Sequence, residues 1–197
     1  MKPRTATVER RTAETDIRVE LALDEPFDAE IETGLGFLDH MLTALARHGR
    51  IGLRLRCRGD LHIDDHHTVE DCALVLGQAF DEALADRRGI ERFADAIVPM
   101  DEALARCALD LSGRGNASID LGLRRERLGQ VACENLTHFF QSFAIASRST
   151  LHIDLLKGEN DHHRSEAAFK SLAVALRRAV ARTGDSESIP STKEVLA

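Results

Sequence analysis

Two short segments of this chain carry nearly the same signature: Asp64-Asp65-His66-His67-Thr68-Val69-Glu70 and Asn160-Asp161-His162-His163-Arg164-Ser165-Glu166. Each sets an acidic residue before a histidine pair and a glutamate three residues after the second histidine. Each also opens an apolar-periodic stretch, so both read as the first turn of an amphipathic helix. On a helix, residues three and four apart share a face. Glu70 therefore stands beside His66 and His67, and Glu166 beside His162 and His163. Adjacent helical residues diverge by about 100°, so one pair of imidazoles does not easily close on one metal ion, but it can reach two. A chain that writes this element twice is constrained to a duplicated fold.

The rest of the sequence follows the same repeat. Strand alternation is read over residues 5–12 and 16–24, where Ile17, Val19, Leu21 and Leu23 mark one face, with a short strand near 29–32. A helix carries Phe37, Leu38, Met41, Leu42 and Leu45 and ends at His48-Gly49. A strand holds Ile51, Leu53, Leu55 and Cys57. A long helix then runs from about His66 to Arg87, closed by Arg87-Arg88-Gly89 with cations on its last carbonyls. The second half repeats the order. Strands are expected over 94–98, 103–111 and 117–123, followed by a helix with Leu136, Phe139, Phe140 and Phe143. A strand with Leu151, Ile153 and Leu155 precedes a helix from about His162 to Arg182, stopping at Gly184. The division expected is a first repeat over 1–89, a second over 90–184 and a polar tail over 185–197. With no linker between them, the halves should pack as one α+β unit, each strands–helix–strand–helix.

His66 and His162 are 96 positions apart, and each half has a further histidine on the preceding helix: His40, 26 before His66, and His138, 24 before His162. The duplicated set is His40, His66, His67, Glu70, His138, His162, His163 and Glu166. Divided between two ions, it supplies four protein ligands each and leaves an octahedral ion two open positions. Imidazole and carboxylate without thiolate suit Mn²⁺, Fe²⁺ or Zn²⁺, and open six-coordinate sites favour Mn²⁺. Asp64, Asp65 and Asp161 are candidates for fixing the imidazole tautomers. His62 and His152 fall in strand patterns and read as ordinary surface residues.

Composition narrows the class. A formal net charge of -7 and the lack of a basic tract argue against nucleic-acid binding. There is no 18-residue apolar run and no signal-like N-terminus, so the expectation is a soluble cytoplasmic protein without a membrane partner. The four cysteines, at 57, 72, 107 and 133, form no Cys-x-x-Cys pair and read as reduced core residues. Taken singly, Glu14 in the first hairpin bend and the cations Arg92, Arg114, Lys170 and Lys193 are ordinary surface charges. The turn Asp110-Leu111-Ser112-Gly113-Arg114 is small enough to hold an anion.

Taken together these segments carry a resemblance. Gly36-Phe37-Leu38-Asp39-His40-Met41-Leu42, the blocks at 64–71, 110–114 and 158–166, Phe169-Lys170 and Pro190-Ser191-Thr192-Lys193 resemble the imidazoleglycerol-phosphate dehydratases, over about 6–196. The resemblance implies a duplicated α+β unit of the ribosomal-protein-S5-domain-2-like type. It implies a homo-oligomeric cage of twenty-four copies assembled from trimers, with two Mn²⁺ per active site at subunit contacts. It carries over the eight metal ligands above, Glu14 as acid–base carboxylate, and His48, Arg92, Arg114, Lys170, Ser191 and Lys193 as substrate-binding residues. One departure is Thr43-Ala44, where the family often has an acidic residue and a Gln.

The implied reaction dehydrates imidazole-glycerol phosphate to imidazole-acetol phosphate, a step of histidine biosynthesis. The proton that leaves carbon is not beside a carbonyl, so the imidazole ring must take up the developing charge. Two ions would act on that ring as Lewis acids and template, Glu14 would move protons, and the cations would grip the phosphate. Two other classes use the same ligands: a dinuclear metallohydrolase, and a metal-storing or cage-forming protein without catalysis.

Overall fold

The computed structural model of the chain describes residues 3–185 and 188–192. Its first half comprises β1 (Thr5–Arg11), β2 (Thr15–Ala22), β3 (Glu30–Glu32), α1 (Gly36–Gly49), β4 (Gly52–Gly59) and α2 (His66–Leu84). The second comprises β5 (Phe93–Met100), β6 (Ala103–Asp110), β7 (Asn116–Asp120), the two-residue strands β8 (Arg127–Leu128) and β9 (Val131–Ala132), α3 (Cys133–Ala146), β10 (Thr150–Lys157) and α4 (Asp161–Ala179).

The two large sheets have one topology. The strand order β1-β2-β4-β3 recurs as β5-β6-β10-β7, antiparallel except for the parallel pairs β3/β4 and β10/β7. The alternation seen in the sequence is the pleat of these sheets. Ile17, Val19 and Leu21 of β2 are buried, while Arg18 and Glu20 point outward and pair with each other and with Glu9 and Arg54. On β6 the buried positions are Ala103, Ala105, Cys107 and Leu109. These small side chains let α4, itself lined with Ala167, Ala168, Ala173, Ala175 and Ala179, approach β5 and β6 closely.

The helices do not stay with their own halves. The α1 helix packs on α4, and α2 packs on α3. Buried phenylalanines join α2 to α3 and α3 to α4. Phe80 of α2 meets Phe143 of α3 edge-on at 5.5 Å between centroids, and Phe140 of α3 meets Phe169 of α4 at 4.6 Å. One core cluster therefore runs through both halves. All four cysteines are free and buried within it, as the sequence suggests. No helix among the described residues is long and apolar enough to cross a membrane.

Several boundaries differ from the sequence reading. The α2 helix ends at Leu84, not Arg87, because Ala85 turns to φ 49°. Arg87 does not sit on the last helical carbonyls. It is buried, and its guanidinium bridges Asp81 (2.5 Å) and the Ser147 carbonyl (2.9 Å), tying α2 to the end of α3. The α4 helix ends at Ala179, after which Arg182 forms an isolated antiparallel bridge with Ile90. The β8–β9 hairpin has no sequence signal of its own. It is held by Asp65, which accepts the Ala132 N–H at 2.7 Å and pairs with Arg127 at 3.2 Å.

The α2–α3 contact yields a stability prediction. A Cβ on Gly77 would lie 2.7 Å from Ala146 Cβ and 2.8 Å from both Phe143 O and Ser147 N. Backbone cannot yield to it cheaply, so overpacking outweighs the roughly 1 kcal/mol of helix propensity that alanine gains over glycine. Gly77→Ala should cost about 1–2 kcal/mol net, read as a lowered denaturant midpoint. An unchanged midpoint would mean the two helices can slide apart freely.

Candidate metal and substrate site

Because α1 lies on α4 and α2 on α3, each histidine on the shorter helix meets the signature of a long one. His40 joins His162 and Glu166, and His138 joins His66 and Glu70. The potential ligand atoms of each group lie within 4.8 Å of one another. In the first group, Glu166 Oε2 is 3.4 Å from His162 Nε2 and 3.6 Å from His40 Nε2. In the second, Glu70 Oε1 is 3.0 Å from His138 Nε2, and Glu70 Oε2 is 3.8 Å from His66 Nε2. Ligand atoms about 2.1 Å from an ion lie roughly 3–4 Å apart, so each group can hold one ion once its side chains close around it. Three nitrogen and oxygen donors without sulfur suit the harder divalent ions.

His67 and His163 belong to neither group. The rings of His66 and His67 stand 5.9 Å apart at 74°, and those of His162 and His163 stand 6.1 Å apart at 86°. Adjacent helical residues leave the helix about 100° apart, and the second ring of each pair meets carboxylates rather than its neighbour's donor group. His67 Nδ1 is 3.0 Å from Asp60 Oδ2, and its Nε2 is 3.7 Å from Glu14 Oε1. His163 Nδ1 is 2.7 Å from Glu102 Oε2, and its Nε2 is 3.7 Å from Asp101 Oδ2. These carboxylates raise the pKa of both imidazoles, Asp60 first for His67 and Glu102 first for His163. The Glu102 carboxyl is held down to about 2, first by the Asn160 N–H and then by His163.

The bend bearing Glu14 is held over the start of α2. Asp71, one turn after His67, accepts from Thr15 Oγ1 at 2.5 Å and pairs with Arg10, and the Asp60 N–H donates to the Glu14 carbonyl at 3.0 Å. The Glu14 side chain is half exposed, at 52%.

The acidic residues preceding the histidine pairs act differently from the sequence expectation. Asp64 accepts the backbone N–H of His66 at 2.8 Å. Asp65 reaches His66 only through Asn135, whose Nδ2 donates to Asp65 at 2.9 Å while its Oδ1 faces His66 Nδ1 at 3.0 Å. Asp161 receives the N–H groups of Arg124 and Arg125 at 2.9 and 2.7 Å and pairs with Arg164 at 3.2 Å, touching no imidazole. Behind the rings stand instead Asn135, Asp60 and Glu102. Sequence reasoning missed all three, because each reaches its histidine through a contact remote in sequence or across a turn. Glu102 alone had a signal: it precedes β6 as Glu14 precedes β2.

The cations fall into two places. Arg92, at φ 66°, binds Asp110 at 2.7 Å and the Pro190 carbonyl at 2.6 Å, and the Gly89 N–H donates to Ser188 O at 2.9 Å. The described part of the tail, including Ser191, thus lies against the start of the second half, and the turn carrying exposed Arg114 begins at Asp110. Lys193 lies outside the described residues. Lys170 stands elsewhere, its Nζ 2.7 Å from Glu166 Oε1. It also helps to lower the pKa of His48, second to burial. Thr43 caps back onto the Asp39 carbonyl at 2.7 Å, and Ala44 is buried against the core. Neither presents a polar group to the cluster at His40.

Comparison with known proteins agrees with this geometry. The family model for imidazoleglycerol-phosphate dehydratase matches residues 33–176. A protein of that name from Phytophthora nicotianae is 56% identical over 98% of this chain, although the chain spans only 43% of that longer protein. The namesake from Candida glabrata is 52% identical over 98% of this chain and 100% of its own length. Among solved structures, the Staphylococcus aureus enzyme of that name superposes with a TM-score of 0.81 at 36% identity, covering 91% of this chain and 99% of its own. The one from Pyrococcus furiosus does so with 0.80 at 38%, covering 96% and 100%. With two identical sheet topologies, two equivalent donor groups and these relatives, the chain belongs to the imidazoleglycerol-phosphate dehydratase family, a family of hydro-lyases.

Proposed function

We propose that the protein dehydrates imidazole-glycerol phosphate to imidazole-acetol phosphate, in histidine biosynthesis in the cytoplasm, as a tandem duplication of residues 1–89 and 90–184 completed by the 185–197 tail. The observation that carries this reading is the pair of equivalent donor groups, each built across the two halves, with His67 and His163 turned away from both. Three donors per group and two outward imidazoles make sense if an outward histidine completes the ligand set of a neighbouring copy. We infer that two Mn²⁺ ions per site are held in this way, at contacts of a homo-oligomer of twenty-four copies built from trimers. When bound, they supply Lewis acidity toward the substrate's ring. The chain's own part is to hold and to move protons. Glu14, 3.7 Å from His67 Nε2, would take the proton from carbon and return one to the leaving hydroxyl. Arg92, Arg114, Ser191 and Lys193 would grip the phosphate. Lys170 would join them once an ion takes over Glu166, and His48 would line the pocket beside it.

An assay that separates the product ketone from free phosphate tests this reading. Ketone without phosphate release supports it. Phosphate release would make the protein a metallohydrolase, and no turnover by the metal-loaded protein would leave a storage or cage-forming protein. The phosphate set adds a prediction. Arg92→Ala removes both a charge-assisted contact and the anchor of Pro190, so KM should rise roughly 10- to 100-fold, from about 1.5–3 kcal/mol of lost binding. Part of the loss should fall on kcat, because phosphate binding also orients the ring. An unchanged KM would remove Arg92 from the pocket.

A further inference from the structure

The outward histidines share one pattern of support drawn from different parts of the chain. His67 has Asp60 behind its Nδ1, and His163 has Glu102 behind its own, at 3.0 and 2.7 Å. Glu102 lies in the β5–β6 turn and occupies the position that Glu14 holds in the β1–β2 turn. In the second half, the duplicated turn glutamate therefore stands behind the ring. In the first half Asp60, just after β4, stands there, and Glu14 faces the Nε2 edge instead. A neutral imidazole carries one N–H, and a carboxylate can only accept. A carboxylate at Nδ1 thus selects the Nδ1–H tautomer and leaves the Nε2 lone pair facing outward.

We propose that Asp60 and Glu102 are positioning residues, which fix the tautomer and orientation of His67 and His163 so that each presents Nε2 as a metal ligand. Asp60 does this in the half where the turn glutamate is kept for proton transfer, and Glu102 does it in the half where the turn glutamate is not. The inference rests on the reading of His67 and His163 as ligands.

Glu102 permits a clean test because its two oxygens have different tasks. Oε1 accepts the N–H groups of Glu159 and Asn160 at 3.2 and 2.9 Å, while Oε2 meets His163. In Glu102→Gln the backbone N–H pair keeps the amide carbonyl and the NH₂ falls against His163 Nδ1. That nitrogen must then accept, and the proton moves to Nε2. The fold keeps its contacts and the histidine takes the wrong tautomer. Asp60 has no such clamp on its carboxylate, so in Asp60→Asn the amide can turn its carbonyl to His67, whereas Asp60→Ala cannot replace it.

The experiment uses the full chain, stripped of metal, titrated with Mn²⁺ against a chromophoric chelator, with the thermal midpoint of each metal-free protein as control. Glu102→Gln and Asp60→Ala should each bind Mn²⁺ roughly 10- to 100-fold more weakly. Measured above the raised histidine range, where the pairing no longer contributes to stability, the metal-free midpoint of Glu102→Gln should stay unchanged, and Asp60→Asn should recover most of the affinity. Wild-type affinity in Glu102→Gln overturns the proposal. So does a loss of affinity that only follows a fall in the metal-free midpoint, which would mark Glu102 as a fold clamp. Solution mass separates this inference from the reading beneath it. If wild-type mass ignores Mn²⁺, the shared-site assembly fails, while weakened Mn²⁺ binding by Glu102→Gln still upholds the positioning role.

Discussion

Stripping the protein with a chelator at neutral pH is expected to abolish turnover and to reduce the assembly to smaller oligomers. Added Mn²⁺ should restore both. Each group within one copy supplies three donors, and His67 and His163 point elsewhere. If those two complete the sites of neighbours, metal binding and subunit binding are one equilibrium. Acid should act as the chelator does. Imidazoles bind metal only when neutral, and free histidine titrates near pH ~6.5. Asp60 and Glu102 raise the values of His67 and His163 above that, so both rings are charged in the metal-free protein over a wider range of pH. In the metal-free chain this pairing contributes stability below the unfolded histidine value and loses it as pH rises through the folded one. For metal the sign is opposite: affinity falls as pH drops through the raised values. Release and dissociation are therefore expected by about pH 6. His67→Ala and His163→Ala should reproduce the small species at neutral pH. Light scattering with and without chelator decides it. A metal-free protein that keeps its full mass would place the ions within single copies.

Replacing Glu14 by glutamine is expected to cut kcat by roughly 10²–10⁴-fold, the range for loss of a general acid–base group, while metal content and solution mass stay as in the wild type. The structure explains why the damage should be so confined. The bend is held by contacts that do not involve the Glu14 carboxylate: the Thr15–Asp71 hydrogen bond, the Arg10–Asp71 pair and the backbone bonds to Thr12 Oγ1 and from Asp60. The carboxylate itself is half exposed and approaches only the outer edge of His67. A variant with near-normal kcat would return Glu14 to the status of a turn residue. A variant that loses metal as well would show that it supports His67 rather than the chemistry.

Much of this protein is local and therefore legible in its sequence. The spacing of His66 and Glu70, and of His162 and Glu166, is one helical turn, so each pair shares a face whatever surrounds it. The alternation of Ile17, Val19 and Leu21 announces a sheet with one dry face, and the 96-residue repeat announces two such units. The partner of each pair is not local. The sequence sets His40 before His66 and His138 before His162 and leaves open which of them share an ion; burial of the helices' apolar faces packs α1 on α4 and α2 on α3. His40 therefore serves Glu166, and Glu70 serves His138 from 68 residues away. The same holds for what stands behind the rings. Asn135, Asp60 and Glu102 reach their histidines because sheets and helices bring distant segments together, and nothing in the periodicity around them marks it. Even the acidic residues beside the histidine pairs misled, since Asp161 holds a backbone turn and Asp65 acts through Asn135. Which side chains can offer a ligand is a property of the one-turn spacing. Which of them share an ion, and which tautomer each presents, is decided by packing between elements far apart in the chain.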